Sequence, residues 1–128
     1  MARPKQTHPT QGELEVLKIL WERGPSTVRE VMEVQPNERA YTSVMSLLNV
    51  MFEKGLVTRE PEGRAFRYTA NHQPDQTEGR LIGDLLDRVF SGSATALVAR
   101  LLEQSNPSEE ELDEIRKLIA QHKRRKTP

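Results

Sequence analysis

The chain contains no cysteine among its 128 residues, which excludes several kinds of chemistry together. Without thiols it can form no disulfide, thiolate metal site or thiol redox switch. No apolar run approaches the roughly 20 residues that span a bilayer, and the N-terminal segment MARPKQTHPT lacks the apolar stretch of a signal peptide. We therefore expect a cytoplasmic protein that does not insert directly into a membrane.

The motifs that carry common enzyme chemistry are also missing. The sequence has no G-x-x-x-x-G-K-[ST], no G-x-S-x-G and no H-E-x-x-H. Its three histidines, His8, His72 and His122, are too far apart to match a metal-ligand spacing. The sequence thus predicts a protein that is not an enzyme and that has no metal site and no cofactor.

An excess of positive charge, the usual mark of a nucleic-acid-binding domain, is absent too. The chain has 19 Lys and Arg against 19 Asp and Glu; residues 1–70 hold 10 against 9 (+1), and residues 71–128 hold 9 against 10 (−1). Any contact with DNA must therefore depend on a local cluster. The candidate cations are Arg39, Lys54, Arg59, Arg64 and Arg67.

Residues 10–55 carry the start and stop signals of three helices. Thr10 with Glu13, and Thr27 with Glu30, have the Thr-x-x-Glu spacing of a capping box. The first helix should end near Arg23-Gly24-Pro25, because proline cannot continue it. A third helix should run from Tyr41 to Lys54 and turn four residues inward: Val44, Leu47, Leu48 and Met51.

A β-hairpin is predicted directly after the third helix. Its strands lie near Leu56–Arg59 and Ala65–Thr69, joined by a turn at Pro61–Arg64. Alternation in the second strand places Phe66 and Tyr68 on one face, where we expect both to close the core, and Arg67 on the other. Three helices followed by a hairpin predict a winged helix-turn-helix domain.

The outer face of the third helix has the composition of a DNA-reading surface. Its residues are Thr42, Ser43, Met45, Ser46 and Asn49, with no strong surface helix former before Glu53. Short hydroxyl groups and methyls can reach base edges in the major groove, and an Asn can bond adenine bidentately. Arg64, at the tip of the hairpin, suits a phosphate or minor-groove contact.

Beyond a linker at 71–74, the sequence changes to helical aliphatic repeats. Three short helices in about 50 residues bury only a thin core on their own, so we expect them to form a dimerisation arm. The predicted contact residues are Leu81, Leu85, Val89, Phe90, Leu97, Leu101, Leu112, Ile115 and Ile119. The fold class is therefore mainly α with a small β-hairpin wing, with a winged-helix domain at 1–72 and a helical dimerisation domain at 73–128.

Four segments together resemble the penicillinase-repressor (BlaI/MecI/CopY) family of bacterial transcriptional regulators. They are GELEVLKILW (12–21), AYTSVMSLLNVMFEKGLV (40–57), GRAFRYTA (63–70) and, more loosely, LLDRVFSGSATALVARLLEQ (85–104). The resemblance implies a homodimeric repressor of β-lactam-resistance-like or stress-response genes. A two-fold dimer would bind a pseudo-palindromic operator. The base-reading residues of the family match Tyr41, Thr42, Ser43, Met45 and Ser46, and its wing arginine matches Arg64.

Three departures from the family pattern qualify this implication. β-Lactam-responsive members are cut at an Asn-Phe bond after a membrane sensor protease is triggered, and the matching pair here is Arg100-Leu101. Copper-responsive members use C-terminal cysteines, which this chain lacks. Family members often have an arginine late in the recognition helix, where this chain has Val50.

An alternative hypothesis keeps the fold and changes the partner. A winged-helix module that binds another protein, without specific DNA binding, fits the near-zero net charge. The Thr- and Ser-rich helix face and the dimerisation arm favour DNA. The two hypotheses differ in the salt dependence of duplex binding, because only phosphate contacts release counterions.

Overall fold

The computed structural model describes residues 8–126, and within that range it contains six α-helices and one antiparallel pair of strands. The elements are α1 (Gln11–Arg23), α2 (Val28–Val34), α3 (Tyr41–Lys54), β1 (Val57–Glu62), β2 (Ala65–Ala70), α4 (Pro74–Arg88), α5 (Ala94–Ser105) and α6 (Glu109–Lys126). The predicted fold class, mainly α with a β-hairpin wing, is confirmed.

The first two helices begin where their capping boxes place them. The Thr10 hydroxyl accepts from the Glu13 amide at 3.3 Å, and the Glu13 carboxylate accepts from the Thr10 amide at 2.9 Å. Thr27 and Glu30 repeat this exchange at 3.3 and 3.0 Å. A side-chain N-cap of this kind stabilises a helix by about 0.5–2 kcal/mol, so local sequence alone fixes both starting points. The third helix ends at Gly55, whose φ of 81° is left-handed.

The hairpin is longer than predicted, and its turn is shorter. The strands pair from Val57 opposite Ala70 to Glu62 opposite Ala65, which leaves only Gly63 and Arg64 in the turn. Gly63 alone of these two has a positive φ, 62°, as in a type II′ hairpin. The predicted turn began at Pro61, but a two-stranded sheet has only edge strands, which tolerate proline.

The core lies between the three N-terminal helices and the hairpin. Tyr68 is buried at 2% exposure, and its backbone exchanges hydrogen bonds of 3.0 and 2.8 Å with Ser26. The other buried apolar residues are Val16, Leu17, Ile19, Leu20, Val28, Val31, Val44, Leu48, Met51, Leu56 and Val57. The expectation that Phe66 also closes this core is wrong, because the residue is 37% exposed. Phe66 lies beside the turn, opposite Pro61, and packs against the Arg59 guanidinium instead.

Close contacts divide the chain into two compact units, Met1–Gly83 and Asp84–Pro128. In the first unit, the Trp21 indole donates to the His72 carbonyl at 2.9 Å and Thr77 is buried, so the start of α4 belongs to it. The domain boundary predicted between residues 72 and 73 stays a prediction. In the second unit, neither α5 nor α6 has a buried residue. No helix in residues 8–126 is both long and apolar enough to cross a membrane.

Candidate nucleic-acid interface

The outward side of α3 gathers the hydroxyl groups that the sequence predicted there. Val44, Leu48 and Met51 turn into the core. The opposite side exposes the residues that we call the hydroxyl face: Thr42, Ser43 and Ser46. Met45 and Tyr41 flank this face and are also exposed, and the Tyr41 ring lies 5.8 Å from the Arg29 guanidinium of α2. The surface therefore offers donors, acceptors and methyl groups with little charge.

Arg64 stands at the tip of the wing as an available cation. Its side chain is exposed, and nothing in the described part of the chain forms an ion pair or hydrogen bond with its guanidinium. The two-residue turn with Gly63 projects it beyond the last pair of the strands, Glu62 and Ala65. An unpaired guanidinium at such a tip can bind a phosphate oxygen or enter a minor groove.

Arg67 is held by the protein itself. Its guanidinium bonds both oxygens of Glu62 at 2.8 and 2.7 Å, the Glu30 carboxylate at 2.9 Å and the Pro25 carbonyl at 2.8 Å. These carboxylates raise the pKa of Arg67. The pKa of Glu30 is lowered by the Thr27 amide and then by Arg67, and the pKa of Glu62 is lowered by its bonds to Arg67. Arg67 thus fastens the wing to α2, and its charge is neutralised there.

Lys54 is likewise turned into the protein. Its ammonium lies 2.7 Å from the Glu13 carboxylate, and the two side chains are 16% and 3% exposed. This ion pair joins the end of α3 to the first turn of α1. Arg39 pairs in a similar way with Glu15 at 2.8 Å. The DNA contacts predicted for Lys54 and Arg67 stay predictions, but the structure gives both side chains protein partners.

A group that sequence reasoning missed lies where the wing meets α3. The Arg59 guanidinium packs between the rings of Phe52 and Phe66 and hydrogen-bonds the exposed Asn49 at 3.2 Å. The sequence held one indication of this position. Alternation along β1 places Arg59 on the same side as buried Val57 and so toward α3. Sequence alone could not supply the partners, since Phe52 and Asn49 come from α3 and Phe66 comes from β2.

The second unit leaves much of its aliphatic surface uncovered. Of the predicted dimerisation residues, Leu81 lies in the first unit and is half-buried. In the second unit the structure half-buries Phe90, Leu97, Leu112 and Ile115 and exposes Leu85, Val89, Leu101 and Ile119. The pair Arg100-Leu101 lies within α5 with both side chains exposed, and Arg100 contacts Glu103 at 3.2 Å. The dimer contacts and the cleavage position stay predictions.

A protein-family model described as penicillinase repressor matches residues 9–121. The chain belongs to the penicillinase repressor family. This family consists of transcriptional repressors and not of enzymes. The predicted family and the prediction that the protein is not an enzyme are therefore confirmed. The penicillinase repressor of Bacillus licheniformis is 28% identical over 120 residues, which cover 91% of this chain and 93% of that protein. The transcriptional regulator BlaI of Mycobacterium tuberculosis is 35% identical over 116 residues, covering 86% of this chain and 83% of that protein.

A solved structure shows what one similar protein binds. It is the solution structure of monomeric Bacillus licheniformis BlaI in complex with the blaP half-operator. It is 26% identical to this member of the family, covers 52% of this chain and 83% of that chain, and aligns with a TM-score of 0.44.

Proposed function

We propose that this family member binds double-stranded operator DNA as a homodimer and thereby represses transcription. The observation that carries the proposal is the hydroxyl face of α3 together with the wing arginine Arg64, which has no partner among residues 8–126. A solvated helix face of this length would ordinarily hold Lys, Glu or Arg, because these residues favour helix formation at no packing cost. Short hydroxyls and methyls instead allow the helix to lie close to base edges.

In this proposal the two elements have different tasks. Thr42, Ser43 and Ser46 bond base edges and phosphates in the major groove, while Met45 and Tyr41 offer apolar contacts to thymine methyls. Arg64 binds the DNA backbone beside that groove and carries no sequence information. Few other cations are available, since Arg39, Lys54 and Arg67 are paired within the protein. We therefore expect a shallow dependence of affinity on salt, because few counterions are released.

Dimerisation is proposed from the second unit. Val89, Leu101, Leu118 and Ile119 are each more than half exposed, and none of the residues of α5 and the described α6 is buried. Aliphatic surface left open to this degree favours burial against a second copy, at about 25 cal/mol for each Å² removed from water. A two-fold pair of wings would then bind half-sites about one helical turn, roughly 34–36 Å, apart.

The regulated genes are proposed, from the similarity to penicillinase repressors, to be β-lactam-resistance-like or stress-response genes. A membrane sensor protease is a proposed partner on the same basis. The position to examine for cleavage is Arg100-Leu101, which is accessible in α5 but is not the Asn-Phe pair of β-lactam-responsive members. Mass spectrometry of the protein recovered from induced cells would show whether this bond is cut.

A nuclease footprint on the DNA upstream of its own gene tests the central proposal. We expect protection of a pseudo-palindrome at near-physiological salt. Arg64→Ala should weaken binding to every duplex and lower the salt slope by about one, whereas Thr42→Ala and Ser46→Ala should change the preferred sequence. If the protein binds neither upstream DNA nor any non-specific duplex, the winged helix serves a protein partner.

Sedimentation tests the dimer. Leu101→Asp or Ile115→Asp places a charge in the proposed interface, so each should shift the protein toward monomer. The exposed Thr58→Asp, on β1, serves as the control and should leave the dimer intact. A stable dimer in both interface variants would show that the arm does not join the two copies.

A further inference from the structure

One arginine connects the wing to the recognition helix by stacking. The Arg59 guanidinium carbon lies 4.1 Å from the ring centre of Phe52 on α3 and 4.2 Å from that of Phe66 on β2. Both phenylalanines are exposed residues, at 39% and 37%. A cation between two ring faces is attracted by both, so this stack fixes where the guanidinium points.

The direction in which it points is toward Asn49. The Arg59 Nη1 donates to the Asn49 Oδ1 at 3.2 Å, and the Tyr68 hydroxyl lies 3.5 Å from the same oxygen. A guanidinium has donors and no acceptor. The atom that faces it must therefore be the carbonyl oxygen of the Asn49 amide, since the reverse orientation would direct an NH₂ group at a cation.

This orientation restricts what Asn49 can offer to DNA. Asn49 is exposed on the same outer side of α3 as Thr42 and Ser46. Its oxygen is occupied, and its NH₂ group has no partner among residues 8–126. The bidentate bond to adenine expected from the sequence needs both groups, an acceptor for N6 and a donor for N7. The oxygen has two lone pairs, and it already accepts from the Arg59 guanidinium and the Tyr68 hydroxyl. That pairing is therefore closed as long as Arg59 holds its place.

We propose that Asn49 is a donor-only specificity residue, and that Arg59 is the positioning residue that makes it so. An NH₂ donor matches the edge of guanine, whose N7 and O6 are both acceptors, better than the edge of adenine, whose N6 donor it would oppose. Asn49 thus selects guanine over adenine at one position in each half-site. This inference rests on the proposed binding of operator DNA.

Selection from a library of randomised duplexes tests the inference with the full-length protein. We expect the wild-type protein to recover one guanine per half-site that depends on Asn49. Asn49→Asp has the same shape and keeps an oxygen toward Arg59, but it presents a second acceptor outward in place of the donor. Its preference for guanine at that position should fall by at least about 5-fold, the lower end of the range for a bidentate base contact.

Arg59→Met separates positioning from direct contact. Methionine can fill the space between the two rings, but it has no donor and so releases the Asn49 oxygen. Adenine should then be accepted at the same position, and the guanine-to-adenine ratio should fall toward one or below. Thr69→Ala, on the exposed outer side of β2, should select the wild-type sequence. Thermal melts of each variant confirm that the wing is folded.

The outcomes distinguish this inference from the proposed function. A wild-type protein that selects no sequence overturns operator binding, and the inference with it. If the wild type selects an operator and Asn49→Asp selects the same sequence, the inference alone is overturned. It is also overturned if the position that depends on Asn49 is an adenine. Should Arg59→Met fail to fold, the comparison of Asn49→Asp with the wild type still decides the role of Asn49.

Discussion

Replacing Lys54 by methionine should destabilise the protein and leave intrinsic DNA recognition unchanged. The Lys54 ammonium and the Glu13 carboxylate are 2.7 Å apart, and the glutamate side chain is only 3% exposed. Removing one partner of a buried ion pair costs about 3–5 kcal/mol, because the other charge stays desolvated. Since the lysine side chain retains 16% exposure, we expect a cost at or just below the lower end of this range, about 2–3 kcal/mol. For a unit of this size the melting temperature should fall by roughly 10–20 °C.

Urea unfolding followed by circular dichroism measures this cost, and two further variants test its cause. The double variant Glu13→Gln with Lys54→Met removes both charges and keeps a side-chain oxygen to cap Thr10, so it should recover at least half of the lost stability. Arg64→Met changes a cation with no partner in the described chain, and its stability should stay within about 0.5 kcal/mol of wild type.

Affinity for duplex DNA, measured well below the melting temperature, should be affected by Arg64→Met and not by Lys54→Met, the opposite of their effects on stability. Arg64→Met should bind all duplexes more weakly, while Lys54→Met should bind like the wild type. The reasoning would be refuted if Lys54→Met kept a free energy of unfolding within about 0.5 kcal/mol of the wild type and bound DNA more weakly. Lys54 would then contact phosphate, as the sequence first suggested.

Two further predictions concern stability. Leu48→Ala leaves a cavity at a fully buried position and should lower the free energy of unfolding by about 2–5 kcal/mol. Val50→Ala, on the exposed side of the same helix, should lower it by less than about 0.5 kcal/mol in the same urea titration. Equal effects would contradict the placement of α3. The lowered pKa values of Glu30 and Glu62 mean that the unfolded chain binds protons first as the pH falls. Their stabilisation is present above their ordinary pKa of 4.5 and is lost as the pH falls through the lowered values. In Arg67→Met this loss below about pH 4.5 should be smaller; an unchanged acid dependence between the two proteins would argue against the ion pairs.

Near-neutral net charge does not decide whether such a domain can bind DNA. Four of the five candidate cations in the N-terminal unit are engaged: Lys54, Arg39 and Arg67 by carboxylates, and Arg59 by two rings and an amide. Arg64 alone among the five has no such partner in the part of the chain that the structure describes. What matters for phosphate binding is therefore the number of free cations on one face, which composition does not give.

Sequence was sufficient wherever a feature depends on residues a few positions apart. The capping boxes at Thr10 and Thr27 and the end of α3 at Gly55 follow from contacts within one helical turn. The alternation of the second strand predicted the burial of Tyr68. The order of three helices and a hairpin, with the matching segments, led to the family that comparison later confirmed.

Sequence failed where two strands or two helices had to meet. It placed Phe66 in the core, because alternation tells which face a side chain takes but not how far the core extends along the strand. It also did not pair Lys54 with Glu13 or Arg67 with Glu30. Their partners Glu13 and Glu30 lie 41 and 37 residues away along the chain.

The sequence by itself therefore determined the kind of protein: the helices, the wing, the family and the hydroxyl face that α3 turns outward. The tertiary structure decided which of its polar groups remain available for a partner. Lys54, Arg67 and the oxygen of Asn49 have partners within the protein. Arg64 and the Asn49 NH₂ group have none in the part of the chain that the structure describes. The physical reason is that charge pairing and amide orientation depend on distance in space, which only the packed chain defines.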